Sequence, residues 1–465
     1  MTMNKPREES ETLQITERNG TITAMASLSS QPYKGTRDYY PADKRVQNYI
    51  FGMWREVAER FGYDEYGAPL LEPLEVYAAK TGQEIVNEQT YQFTDRGGRN
   101  VAIRPEMTPT ISRMVAAQRQ EMGYPARLYS IAQFMRYERP QHGREREFWQ
   151  LNLDMFGVDG VEADAEIIAI SDAIMRSFGA TNKMYTIRIN NRQLINFMMA
   201  DYLGLDIIQT ELMIKLFDRK DKISHEQFRD QAADIFGTEQ QAAGLSKIAA
   251  LLSATSMAEL PLELRDTEPV REVRELFTRL HEAGVTSAKF DISLMRGFDY
   301  YTGMVFEVFD NHPDNNRSLF GGGRYDGLVG LFGVEPLPTV GMAPGATTTE
   351  NFLHAHKLLP KLESTTDIYM VVLGDNTLKS AQKVATALRS EGVKVAVDIT
   401  GRKLDKQIKS AVKMKVPYML FIGEKEIEDE TYRLKDVKSE DETALSVERI
   451  VTQVADYRRK ADDDI

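Results

Sequence analysis

Cysteine is absent from the 465 residues, which excludes disulfides and thiolate-bound metals. Histidine occurs only six times, scattered, and suggests no metal centre. No apolar run approaches the roughly 20 residues of a membrane span, so no membrane association is expected. The polar, Glu-containing N-terminus is neither a signal peptide nor an Arg-rich transit peptide, which makes the cytoplasm the expected location. Positive charge is in deficit, with 58 Lys and Arg against 70 Asp and Glu and a net charge of −12. That argues against general coating of nucleic acid but not against a local basic face. There is also no Walker A sequence, and the GGGR of 321–324 is a lone glycine turn, weak as a phosphate loop.

What is present is a globular composition, 42% hydrophobic and 28% charged, and a length that suits about three domains. Residues 1–30 lack hydrophobic periodicity and predict a disordered tail, with Met25 an alternative start. Pro41 and Asp43 predict a helix start. Tyr49, Met53, Trp54, Val57 and Phe61 then recur at helical spacing up to a stop at Gly62. Pro69 and Pro73 bracket an edge strand. A hairpin turned at Gly97-Gly98 leads into RPEMTP and a helix with Ile111, Met114 and Val115 inward. At that strand-to-helix junction Glu106 and Thr108 are free to meet a ligand, although Thr108 equally suits a helix cap.

Residues 133–156, QFMRYERPQHGREREFWQLNLDMF, organise the chain. Period two puts Trp149, Leu151, Leu153 and Met155 on one face of a strand and Phe148, Gln150, Asn152 and Asp154 on the other. Arg136 and Glu138 share a face in the preceding strand, and PQHGR is turn chemistry. A face mixing Arg, Glu, Gln, Asp and Phe suits a charged, planar, amine-bearing ligand; it also suits solvent.

An acidic helix near 161–178 precedes a change of character. Residues 186–285 carry longer helical patterns and read as an insertion between sheet segments. After a linker at 357–366, strands and helices alternate, implying a parallel sheet with right-handed crossovers. In the helix near 403–413, Leu404, Ile408 and Val412 form one stripe, and Lys403, Lys406, Lys409 and Lys413 point to the opposite side. From 379 to 415 there are ten Lys and Arg against three acids. A solvated helix explains this, and so does a site for a phosphate backbone.

Arginines beside turns stand out: Arg136, Arg144, Arg146, Arg296 and Arg324. Planar guanidinium groups bind phosphate bidentately and hold charge that develops at a transferring group. The residues by themselves reach an arginine-rich nucleotide or carboxylate site on an antiparallel sheet, with a basic α/β module attached.

From about Tyr33 to near its C-terminus the chain resembles the histidyl-tRNA synthetases, which are class II aminoacyl-tRNA synthetases. KGTRDYYP and YGAPLLEP resemble the family's opening and motif 1. RPEMT resembles its RPExT segment, and FMRYERPQHGREREFWQLNLDMFG motif 2. LMRGFDYYTGMVFE resembles the RGLDYYT segment, and FGGGRYDGL the turn before motif 3. The resemblance implies an α+β fold: a class II antiparallel sheet flanked by helices over 31–185 and 286–356, a helical insertion over 186–285, and an anticodon-binding α/β domain over 367–465. It implies activation of L-histidine by ATP, with Mg2+, to histidyl-adenylate, then transfer to tRNA(His), in a homodimer.

Carried over residue by residue, Arg136 and Arg296 hold the α-phosphate. Arg144 reaches the outer phosphates, Glu138 the adenine amine, and Phe148 stacks on adenine. Glu106, Thr108, Gln150 and Asp154 grip the histidine α-ammonium and neighbouring groups, and Tyr301 and Tyr325 recognise the imidazole. Arg139 and Gln141 meet the tRNA acceptor end, and Lys403 and Lys406 lie on the tRNA-binding module. Two positions depart from the family pattern. Asp154 stands where relatives more often have Glu. Motif 3 reads Gly345-Ala346-Thr347-Thr348-Thr349-Glu350, with Thr348 where an arginine normally clamps the γ-phosphate; either another cation compensates, with Arg144 and Arg324 as candidates, or ATP is handled weakly. A non-charging paralogue that binds histidine or tRNA as a regulatory subunit is the rival reading; the presence of Arg136 and Arg296 and the lysine-faced module oppose it.

Overall fold

The computed structural model describes residues 29–78, 88–141, 143–295, 300–315, 317–374 and 376–463; residues 1–28 of the expected tail and Arg296 lie outside them. Pro at the start and Gly62 in the left-handed region (φ +79°) bound helix α1 (Pro41–Arg60), which buries Ile50, Trp54 and Val57. The two-residue strand β1 (Asp64–Glu65) follows. Strand β2 (Leu71–Pro73), helix α2 (Glu75–Ala78), and strands β3 (Gln92–Thr94) and β4 (Asn100–Ile103) come next. The three strands make a small antiparallel sheet in the order β2-β4-β3, with the Pro-bearing strand at its edge. Helix α3 (Thr108–Gln118) starts with Thr108 as its first helical residue; Met107 holds the cap position and no side chain caps the end, so the capping role considered for Thr108 falls away.

The expected hairpin is longer than its sequence signal. Strands β5 (Ala126–Met135) and β6 (Glu147–Phe156) pair antiparallel over their full length, from Ala126 opposite Phe156 to Met135 opposite Glu147. Leu151, Leu153 and Met155 enter the main core with Trp149 packed against it. Each such side chain stabilises the fold by roughly 1.5–3 kcal/mol. Helix α4 (Val161–Ser177) and strand β7 (Tyr185–Asn191) follow. After the helical segment come strands β8 (Ala288–Phe290), β9 (Met304–Asp310), β10 (Ser318–Arg324) and β11 (Thr339–Met342), then helix α10 (Ala346–Ala355). The main sheet has eight strands in the order β1-β5-β6-β11-β10-β9-β7-β8. It is antiparallel except at its two outermost pairs, β1 with β5 and β7 with β8.

Between β7 and β8 lie α5 (Arg192–Phe197), α6 (Ile207–Asp218), α7 (His225–Ser253), α8 (Leu262–Arg265) and α9 (Glu268–Glu282). The first four close around their own core, which includes Leu194, Met213, Phe217, Phe228 and Leu251. Helix α9 returns to the main core through Leu276 and Leu280.

The C-terminal unit comprises β12 (Ile368–Val372), α11 (Leu378–Ser390), β13 (Val395–Val397), α12 (Leu404–Met414), β14 (Tyr418–Ile422), α13 (Glu424–Glu428), β15 (Tyr432–Asp436), β16 (Glu442–Leu445) and α14 (Val447–Asp463). Its sheet runs β13-β12-β14-β15-β16. The first three strands are parallel, as the β/α alternation requires, and an antiparallel hairpin is added at one edge. One expectation fails here. Helix α12 buries Gln407 and Ala411, whereas Leu404 and Val412 are 41% and 52% exposed. Gln407 brackets the backbone of Val372, accepting from its N–H (2.9 Å) and donating to its carbonyl (2.9 Å). Ile408, the middle of the stripe, packs against the core around Tyr369, Val371 and Ala411, so only the two ends of the stripe stay exposed.

Candidate active site

A cleft of about 1060 Å³ opens on the main sheet, floored by the polar face of β6 and walled by the start of α3, the 300–301 segment, strands β9 to β11, the start of α10 and helix α6. Phe148, Gln150, Asn152 and Asp154 all line it, so the period-two reading of that strand placed its polar face correctly. Glu106, Thr108, Arg136, Glu138, Arg144, Tyr301 and Tyr325 line the same cleft, gathered from segments as far apart as 106 and 325.

At one end the polar groups are buried. The Tyr325 hydroxyl donates to Asp154 Oδ1, and Asp154 Oδ2 has no hydrogen-bond partner among the described residues. Burial pushes the Asp154 carboxyl up to about 7, against the opposing hydrogen bond from Tyr325. Strand β11 closes on this carboxylate so tightly that a Cβ on Gly341 would lie 2.0 Å from Asp154 Oδ1. Gln150 is tied down too, its Nε2 donating to the Ala343 carbonyl (3.0 Å). Tyr300 donates to Glu106 Oε2 (3.2 Å), and its ring meets Tyr301 and Tyr325 edge-on at 5.1 and 5.7 Å. Burial raises all three phenols, so they are neutral donors at physiological pH. The sequence reading missed Tyr300. The family resemblance points to Tyr301 alone of the adjacent pair, but residues 300–301 lie outside the strands and both reach the cleft.

At the other end the groups are charged and more open. The Arg136 Nε donates to the Pro105 carbonyl (2.9 Å), and its guanidinium sits 5.4 Å above the Phe148 ring. Glu138 lies 3.2 Å from Arg144 Nη1 and 4.0 Å from Arg136 Nη1. The Thr348 hydroxyl donates within the fold, to the carbonyls of Leu319 (2.8 Å) and Gly345 (3.0 Å).

Two of the turn arginines take structural posts instead. Arg324 is 6% exposed and bound to Asp164 (3.0 Å) and to the carbonyls of Val158 and Gly160, so it does not compensate at Thr348. Arg146 is buried, donating to the Glu138 carbonyl (3.1 Å) and to Tyr33 Oη (2.9 Å). Arg139 and Gln141 are exposed on the 136–146 connection, outside the cleft lining, and Lys403 and Lys406 are exposed on the C-terminal unit. The sequence reading also gave no role to Lys215, Arg219 and Lys222, which line the cleft from α6 and the turn after it.

A mostly antiparallel sheet that carries its site on one face, with helices behind it and a separate anticodon-binding unit, defines a class II aminoacyl-tRNA synthetase. A model of the histidyl-tRNA synthetase family matches residues 35–346, and one of the anticodon binding domain matches 367–457. The chain is 40% identical to a histidine–tRNA ligase of Leptospira biflexa over 93% of its length and 99% of that protein's. It is 37% identical to one of Halobacterium salinarum, over 89% and 95%. In fold it is similar to histidyl-tRNA synthetase from Nostoc sp. PCC 7120 (TM-score 0.79, 24% identity, covering 93% and 100%). It is also similar to an ATP phosphoribosyltransferase regulatory subunit/histidyl-tRNA synthetase from Bacillus halodurans (0.68, 23%, covering 83% and 97%). The chain belongs to the histidyl-tRNA synthetase family.

Proposed function

We propose that this chain is a histidine–tRNA ligase that activates L-histidine with ATP and transfers it to tRNA(His). The observation that carries the reading is the convergence, in one cleft, of Arg136, Glu138 and Phe148 with Glu106, Gln150, Asp154, Tyr301 and Tyr325. In the first step a histidine carboxylate oxygen attacks the α-phosphorus of ATP, and the bond to pyrophosphate breaks. Arg136, held by Pro105, stabilises the charge that grows on the α-phosphate. Arg296 is the second cation on that phosphate in this proposal, Glu138 takes the adenine amine, and Phe148 stacks on the base. Glu106, Thr108 and Gln150 bind the α-ammonium. Asp154, with Tyr301 and Tyr325, reads the neighbouring groups and the imidazole. In the second step the terminal ribose hydroxyl of the tRNA attacks the carbonyl of the adenylate and AMP leaves, with Arg139 and Gln141 at the acceptor end and Lys403 and Lys406 on the anticodon side.

Magnesium travels with the ATP in this scheme. Such an ion keeps several waters and is carried largely by the substrate phosphates. A homodimer is supported by exposed Tyr40, Leu70, Leu71 and Phe93 around the motif 1 region, and a cytoplasmic location is proposed with it. The regulatory-subunit reading draws on Thr348 alone; the anticodon-binding unit is a part that a histidine sensor does not need. The test is histidine-dependent ATP–pyrophosphate exchange by the purified chain. Exchange is expected; its absence with histidine, ATP and magnesium all present would favour the non-charging reading.

A further inference from the structure

ATP brings a triphosphate of about four negative charges into this cleft, and the lining contributed by the sheet and its loops is poorly matched to it. Outside helix α6 and the turn after it, the described lining has two cations, Arg136 and Arg144, against five carboxylates, Glu106, Glu138, Glu145, Asp154 and Glu307. Both arginines lean towards Glu138. Thr348 brings no charge, and its hydroxyl is already engaged by backbone carbonyls. Arg37, which approaches from the N-terminal segment, is held by Glu350 at 2.9 Å.

The missing charge stands on the wall that the insertion supplies, where Lys215, Arg219 and Lys222 outnumber the single carboxylate of Asp218. Helix α6 buries Met213, Leu216 and Phe217 in the insertion's core. Ile208, Leu212, Lys215, Arg219 and Lys222 follow one another at steps of three and four residues along another face, all exposed. The last four of these line the cleft. Arg219 donates to Gln231 Oε1 (3.1 Å), and Lys215 and Lys222 have no ion pair or side-chain hydrogen bond among the described residues. A buried face fixes the helix, so Lys215 is aimed by packing rather than by a partner, while Arg219 and Lys222 belong to the turn that follows and Arg219 is tied to Gln231.

We propose that Lys215 and Lys222, with Arg219 between them, bind the β- and γ-phosphates of ATP and the departing pyrophosphate, so that the insertion supplies the cations that motif 3 lacks. The proposal rests on the ligase reading above. It differs from two other uses of the same side chains. Cations near a helix C-terminus also offset the helix dipole, which predicts an effect on stability alone. Cations facing a tRNA acceptor stem would affect only the transfer step.

The experiment is tRNA-free, histidine-dependent ATP–pyrophosphate exchange by the full chain and its Lys215→Ala, Lys222→Ala and doubly substituted variants, with aminoacylation and thermal unfolding measured beside it. Each single change should raise the KM for ATP about ten-fold, the size of one charge-assisted contact. The double change should raise it further, with the KM for histidine and the unfolding temperature unmoved. Lys→Arg at either position should restore most of the affinity. Exchange with an unchanged KM for ATP, whether transfer to tRNA or stability alone is impaired, overturns the proposal and leaves the ligase reading intact. A wild-type chain with no exchange at all overturns both.

Discussion

Glu106, Asp154, Tyr300 and Tyr325, in the part of the cleft proposed to take histidine, are buried and mostly fixed by one another, whereas Arg144, Lys215, Arg219 and Lys222, proposed to face the phosphates, stand exposed. In that proposal the buried end selects. Its hydrogen-bonding groups have lost water and gain most from a ligand that replaces all of those bonds, so an amino acid lacking the imidazole leaves them unpaired. The exposed end attracts, through charges that water and salt partly screen, and depends less on fixed geometry. Arg136, at the charged end, is partly buried and anchored by a carbonyl, which suits the action on the reacting phosphorus proposed for it.

The contrast can be broken in several places. The largest effect belongs to Arg136→Ala, which should lower the exchange rate about 10³-fold, the upper range for one preorganised donor, with histidine affinity preserved in a direct binding measurement. A loss confined to histidine binding would move Arg136 to the other end of the cleft. Next is Arg324→Met, which leaves Asp164 buried without its partner and should cost about 3–5 kcal/mol in urea unfolding, with the KM for ATP unchanged. A raised KM for ATP instead would mean that Arg324 serves the nucleotide after all.

Asp154→Asn should raise the KM for histidine about 30-fold at pH 8, where the native carboxyl is ionised, and by less at pH 6, where it is mostly protonated. Stability gives an independent check on the same group. Because burial raises this carboxyl to about 7 from an ordinary value of 3.8, the folded chain binds the proton more tightly than the unfolded one. Its contribution is therefore present below the unfolded value and lost as pH rises through about 7. Urea unfolding at pH 5 and pH 8 should show wild type losing more stability across that interval than Asp154→Asn; equal losses would place Asp154 ionised throughout and remove the distinction between the two ends. The smallest effect is that of Lys403→Ala with Lys406→Ala. It should weaken tRNA binding a few-fold, as two lost phosphate contacts do, and leave exchange untouched.

The polar face of β6 was legible in the sequence because it is built on local periodicity. A strand has a period of two, so Phe148, Gln150, Asn152 and Asp154 sort to one face without knowledge of what packs around them. The phosphate end was not. Whether an arginine faces ligand or core depends on partners distant in sequence: Arg324 finds Asp164, 160 residues away, and the carbonyls of Val158 and Gly160. For α12 the apolar stripe was visible, but only Ile408 of it packs inward, beside Ala411 and the Gln407 that pairs with the Val372 backbone. The basic face of α6 was readable as a pattern. That it looks into the cleft follows only from the way the insertion docks, which no local signal records.

Gly341 carries a consequence for descent. With Asp154 Oδ1 lying 2.0 Å from where a Cβ would stand, and the Leu153 carbonyl 2.9 Å away, every single-step replacement of this glycine displaces the acid that reads the substrate. A longer acid at 154 meets the same closed strand. The two positions are therefore coupled: a side chain at 341 requires β11 or the Asp154 carboxylate to shift.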